Sequence, residues 1–344
     1  IQFDSEDHTT RAIENSISDE CKECSYTDQD DEFISSIVFA KNNGTKVILA
    51  SKIGFEPTRI PSDYIVMPLE KIMIEAMPST GLVDHEVDAI DNVSRRYTIF
   101  TSIPSLPDKK FISFGVQSVL SFLDIDGEII IKEDLSNDLI DINGLSIKAF
   151  RKEASFLMNY YGPVSSIYNT FPRYSLSQVI DNYDYSLLDE NEDSDWIDMY
   201  INPNHNLYNF FGNEKSPFKN KIVVIGSSLK EDHDFKETPF FSYNGHENPT
   251  PGLEFHANAI QQMIDNSYIN VPTHTLKASY ESFIYHLFII IFFVALILFI
   301  LTSFPILIST LAILGLIIIW FSFSMGLFIK DPFWMIKSFV GLIT

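Results

Sequence analysis

Ser227, Asp234 and His256 are the side chains of this chain that together could perform nucleophilic catalysis. A serine nucleophile needs a base to take its proton and a carboxylate to orient that base. Such a relay is recognised by geometry rather than by order along the chain, and Ser227 lacks the glycine-flanked setting of a nucleophile elbow. No catalytic residue is therefore assigned. Gly226-Ser227-Ser228 instead follows a strand-like run, and open α/β sheets bind ligands at the carboxyl ends of their strands. A single glycine there falls short of either glycine-rich phosphate fingerprint, so no cofactor is expected. Glu254 and Asn258 stand four apart on one helical face, with His256 turned away from both. Ser227, Asp234, Glu254, His256 and Asn258 are the candidate ligand-binding residues. For His256 the competing reading is a hydrogen-bonded histidine that ties the helix start to the Gly226 turn.

Cys21 and Cys24 stand in Asp-Glu-Cys-Lys-Glu-Cys. A zinc site needs about four ligands, and with His8 as the nearby addition the set is too small, so no metal is expected. Disulfide and free thiols both remain open for the pair.

These residues sit in a strongly acidic chain, with 24 basic and 46 acidic side chains and a net charge of −22. Only Glu281, Lys330, Asp331 and Lys337 lie beyond position 280, so the first 280 residues carry the whole imbalance. A surface of that sign repels nucleic acid and anionic headgroups, which excludes nucleic acid as a partner.

The elements that must position the candidates alternate in type. Phe33 to Ala40 repeats apolar residues at helical spacing, Asn42-Asn43-Gly44 ends it, and Lys46 to Ala50 reads as a short buried strand. Segments 79–83 and 95–100 flank an acidic turn and suggest a hairpin. Phe114 to Leu123 resumes a helical pattern, and Glu128 to Ile131 reads as a strand. Another strand leads into Tyr161-Gly162-Pro163. Asp184 to Asp198 is loaded with carboxylates and reads as a solvated insertion. Lys221 to Ile225 is the clearest strand in the pattern, and Leu253 to Ile264 the clearest helix. The alternation points to an α/β core.

From Ser282 to Ile329 the chain runs 48 residues without a charge. As one helix this would be about twice the ~30 Å hydrocarbon thickness of a bilayer, so it must fold back, with Thr302-Ser303-Phe304-Pro305 as the crease. Two transmembrane helices are expected, at 282–301 and 305–329, with 333–344 as the start of a third. His286 would then lie near the start of the first span. Ile1-Gln2-Phe3 reads as the tail of a buried strand, so the N-terminal part of the domain is expected to be missing.

Phe218 to Ser228, Asp234, Thr238-Pro239 and the run Pro251-Gly252-Leu253-Glu254-Phe255-His256-Ala257-Asn258-Ala259-Ile260 together resemble the end of the type-two CHASE domain (CHASE-2) family. Asn159-Tyr160-Tyr161-Gly162-Pro163 with Tyr174 to Ile180 resembles its middle, and Gly81-Leu82-Val83-Asp84 with Arg95-Arg96 its earlier part. The resemblance implies an α/β, mixed-sheet extracytoplasmic sensor domain over 1–280, followed by α-helical transmembrane segments. It further implies a multi-pass protein of the inner (cytoplasmic) membrane. Its partners would be membrane lipid, a second copy in a homodimer, and an extracytoplasmic ligand or partner protein. The expected function is a bacterial transmembrane signalling receptor that relays the signal to a cytoplasmic output, foremost an adenylate or guanylate cyclase. The alternative is a membrane-anchored structural or assembly subunit without an enzyme output.

Overall fold

The computed structural model describes residues 2–3, 29–88, 90–134, 137–150, 153–184, 187, 193–212, 215–232, 234–269 and 276–330. His8, Cys21, Cys24, His233 and the expected third span at 333–344 lie outside the described residues, as does the side chain of His286. The chain divides into two compact units. The first comprises 1–126 and 160–265, the second 127–159 and 266–344.

The first unit begins with β1 (Gln2–Phe3), α1 (Gln29–Asn42), β2 (Ile48–Phe55), β3 (Asp63–Met67), α2 (Glu70–Glu75) and β4 (Ser79–Leu82). Their four strands form one mixed sheet in the order β1-β3-β2-β4. β2 runs antiparallel to β3 and parallel to β4, pairing Ala50 with Gly81. The acidic first turn of α1 suits its positive helix end, and Ile34 and Ile37 pack on Ile72 and Ala76 beside α2. A second apolar cluster joins Ile65 and Leu82 to Ile103.

β5 (Arg96–Thr98), β6 (Phe100–Ile103), β7 (Leu106–Ile112) and α3 (Phe114–Phe122) follow. Segment 79–82 thus pairs in parallel with β2 rather than forming a hairpin with residues 95–100, because the parallel register puts Gly81 and Leu82 into the core. The hairpin here is β6–β7, with Phe100 opposite Ile112. Ser113 caps α3 through Val116 N–H, and α3 buries Val116, Val119 and Leu120.

In the second unit, β8 (Ile131–Asp134), β9 (Leu139–Ile142) and β10 (Leu145–Lys148) form an antiparallel meander, and β11 (Ser155–Leu157) follows. Ile140, Ile142 and Ile147 are fully buried. Asn143 and Gly144 both take positive φ (50° and 93°), which lets them close the two-residue turn between β9 and β10.

Back in the first unit, α4 (Ser165–Tyr168), α5 (Leu176–Ile180), α6 (Asp198–Ile201) and α7 (Tyr208–Phe211) are single turns of helix. β12 (Phe235–Lys236) pairs antiparallel with β13 (Thr250–Pro251), which leads directly into α8 (Gly252–Ile264). Residues 221–228 form no strand, contrary to their pattern. Val223 and Ile225 are exposed, and among the described residues no main-chain N–H from 222 to 228 finds a main-chain acceptor. A β pattern without a neighbouring strand stays an extended coil.

α9 (Leu276–Ser303) and α10 (Ile306–Lys330) complete the second unit. They turn at Ser303-Phe304-Pro305, where Ser309 Oγ donates to Ile300 O at 3.0 Å, and Phe293 meets Trp320 edge-on at 5.0 Å. Much of their flank is exposed and apolar, including Phe288, Ile306 and Leu307, a surface that is costly in water. Among the described residues no helix is long and apolar enough to cross a membrane.

That finding corrects several expectations. The apolar run does fold into two helices with the expected crease, but the transmembrane segments at 282–301 and 305–329 are not supported. The multi-pass inner-membrane location rested on those spans and falls with them. So do membrane lipid and a homodimer as partners, the relay across the membrane to a cyclase, and the membrane-anchored subunit. What stands is a mixed α/β fold.

Close approach of backbone fixes two of the joints. A methyl at Gly81 would lie 2.5 Å from Phe114 Cα, and one at Gly115 2.6 Å from the Tyr97 hydroxyl. We expect Gly81→Ala to destabilise the fold by about 1–3 kcal/mol, as overpacking of a filled core does. Urea unfolding would show this as a lower midpoint with unchanged slope.

Candidate functional site

The N-terminal half of α8 gathers side chains from distant parts of the first unit. Its apolar face, with Phe255, Ala259, Ile260 and Met263, is buried, which fixes the helix against the core and sets where its polar residues point. Glu254, His256 and Asn258 are all buried with them, at 4 %, 7 % and 1 % exposure. Buried polar groups need partners, and each of these has one.

Glu254 accepts from Ser165 through the main-chain N–H (2.8 Å to Oε1) and the hydroxyl (2.8 Å). Ser165 Oγ in turn accepts Phe171 N–H at 2.9 Å. Burial pushes the Glu254 carboxyl up, and the Ser165 hydrogen bonds pull it back down. Asn258 Oδ1 accepts Tyr161 N–H at 3.1 Å, while its amide donates to Glu254 O at 2.9 Å. These two residues clamp the Tyr161-Gly162-Pro163 turn from both ends.

His256 points the other way, into the core. Its Nδ1 lies 2.7 Å from the Tyr97 hydroxyl, which also accepts Gly115 N–H at 2.8 Å. Having accepted there, Tyr97 has its own proton left for Nδ1, which matches a neutral imidazole. Burial lowers His256 to about 3. His85 stacks on Phe255 with ring centroids 4.1 Å apart and is lowered by burial to about 4. Its Nε2 is buried without a partner among the described residues. Asp84, next in line, accepts Ile53 N–H at 2.7 Å and is pushed up by burial.

Ser227 and Asp234 are placed differently. Ser227 is exposed, and its hydroxyl accepts Leu229 N–H at 3.1 Å. Asp234 presents its carboxylate to the start of α8, so that a methyl at Gly252 would overlap it, and Asp234 O accepts Gly252 N–H at 2.8 Å. Negative charge at a helix N-terminus is stabilised there. Lys236 Nζ is 3.3 Å from the same carboxylate. Gly226 approaches α8 at Leu253, where a methyl would sit 3.4 Å from Cβ.

The structure therefore brings Glu254, His256 and Asn258 together as one buried polar turn and leaves Ser227 and Asp234 nearer the surface. Among the described residues no hydrogen bond joins Ser227, Asp234 and His256. His256 does tie α8 into the fold, but through Tyr97 rather than the Gly226 turn. Tyr97, Ser165 and His85 were not singled out in the sequence, because nothing local marks a tyrosine in a strand or a serine after Gly-Pro-Val as a partner for α8. The pair Asp84-His85 beside Gly81 was the available signal.

A model of the CHASE2 domain matches residues 3–300. No curated protein matches the chain, and no solved structure does. The family match covers the sensor domain and brings no cyclase with it.

Two buried histidines held neutral make stability depend on pH. An unfolded chain protonates His256 below about 6.5, whereas the folded chain resists until about 3. The unfolded state then binds more protons across that window, so stability is full above 6.5 and falls as pH drops toward 3. For His256 alone the loss between pH 6.5 and 5 is about 2 kcal/mol. His256→Gln, which keeps a polar group but does not titrate, should flatten the pH dependence of the unfolding midpoint in this window; an unchanged slope would count against it. Spanning most of its length, the match to the CHASE2 model places this chain in the CHASE2 domain family.

Proposed function

We propose that the chain is an extracytoplasmic sensor module whose ligand-responsive surface is the exposed segment 221–232 together with Asp234 above the start of α8. Ser227 and Asp234 contact the ligand in this reading, and Glu254, His256 and Asn258 are positioning residues behind them. The observation that carries it is the contrast in one place. A half-exposed carboxylate and an exposed hydroxyl lie toward the surface, while the helix turn behind is bonded to two remote segments, the loop from Tyr161 to Ser165 and the strand at Tyr97. A ligand that reorders the unpaired segment would act on a rigid frame, and the response is bounded by its differential affinity for the two arrangements.

A binding screen on the chain with small metabolites, short peptides and cell-wall fragments tests this. A binder is expected to slow amide exchange at 222–232 and to lose at least tenfold in affinity in Ser227→Ala combined with Asp234→Asn. A binder with its footprint elsewhere and full affinity for that variant would refute the assignment. No ester or phosphate turnover is expected; turnover lost in Ser227→Ala would instead make the chain a hydrolase.

A further inference from the structure

Asp181, Asp193 and Asp195 each bring one carboxylate oxygen to within 4.8 Å of the others. They come from the residue that ends α5 and from the turn that leads into α6. Asp181 is fully buried, at 0 % exposure, where an ionisable group persists only if its charge is met. One oxygen is met: Oδ2 accepts Ser194 N–H (3.0 Å), the Ser194 hydroxyl (3.2 Å) and Trp196 N–H (3.1 Å). The other is not. Oδ1 is buried and has no partner among the described residues, a costly arrangement for a carboxylate in the absence of a cation.

The surrounding turn holds the carboxylates in place. Ile197 N–H donates to Asp181 O at 3.1 Å, and Asp193 Oδ1 accepts Leu187 N–H at 3.1 Å. Asp195 adopts a left-handed φ of 49°. No basic side chain balances the set: among the described residues no ion pair reaches any of the three. Burial first, and then the charges of Asp193, Asp181 and Asp198, push the Asp195 carboxyl up, with His205 opposing them.

We propose that this turn binds a divalent cation, and that the cation is Ca²⁺. The donors are all oxygen, and alternate residues 193 and 195 converge as ligands do in calcium loops. Zn²⁺ would favour nitrogen or sulfur, and Mg²⁺ a stricter octahedron with several waters. Main-chain carbonyls and water supply the oxygens beyond the three carboxylates. The acidic run around Asp198 is then an ion-binding turn, not just a solvated insertion.

Trp196, next to Asp195, gives the readout, because an indole near a bound Tb³⁺ sensitises its emission. With the full chain we expect saturable Tb³⁺ emission on tryptophan excitation, displaced by Ca²⁺ and at least tenfold less readily by Mg²⁺. Asp193→Asn and Asp195→Asn should each weaken Ca²⁺ competition at least tenfold while circular dichroism stays unchanged. Trp196→Phe should lose the emission yet keep Ca²⁺ binding by calorimetry. Absence of saturable emission and of calorimetric heat at millimolar Ca²⁺, or equal affinity in both Asn variants, would overturn the proposal.

Discussion

The Tyr97 hydroxyl is the contact on which the first unit depends. It is buried, it accepts the Gly115 amide at the start of α3, and it meets His256 in α8. Three elements far apart in sequence are thereby joined by one oxygen. A buried hydroxyl with both partners adds a modest net stability, but removing one partner leaves another group stranded, so the joint tolerates little change. It also dictates its neighbours: residue 115 must lack a side chain, and the imidazole must stay uncharged.

From that joint the polar side of α8 follows. With His256 directed inward, Glu254 and Asn258 are turned to the loop that starts at Tyr161, and they satisfy its amides at Tyr161 and Ser165. Charge, hydrogen bonding and burial are thus settled together over little more than one turn of helix. The strong negative charge of the chain is compatible with such a core because buried carboxylates such as Glu254 and Asp181 accept main-chain N–H groups.

Much of this was legible in the sequence where pattern and burial agree. The helices over 33–40 and 253–264 lie within helices of the structure, and 114–123 matches one that ends a residue earlier at Phe122, because their apolar spacing is the packed face itself. The Gly-Leu-Glu-Phe-His-Ala-Asn run was marked as important, and all three of its polar residues are buried. Pairing was harder to read. Residues 79–82 chose β2 over the nearer 95–100, and 221–225 has strand composition but no strand beside it among the described residues, since a sheet is decided by partners remote in sequence. Apolar length alone also misled at the C-terminal end, where the helices and crease formed but, among the described residues, no helix is long and apolar enough to cross a membrane.

The run at 222–228, whose amides find no main-chain acceptor among the described residues, has a further consequence. Amides that donate to no main-chain carbonyl exchange with water without any unfolding, so this stretch should exchange much faster than the neighbouring helix α8. Exposed, extended and rich in large side chains, it is also shaped like a protease substrate. The first cut in a limited digest would separate the four short helical turns from α8 without touching the buried joint that holds α8 in place.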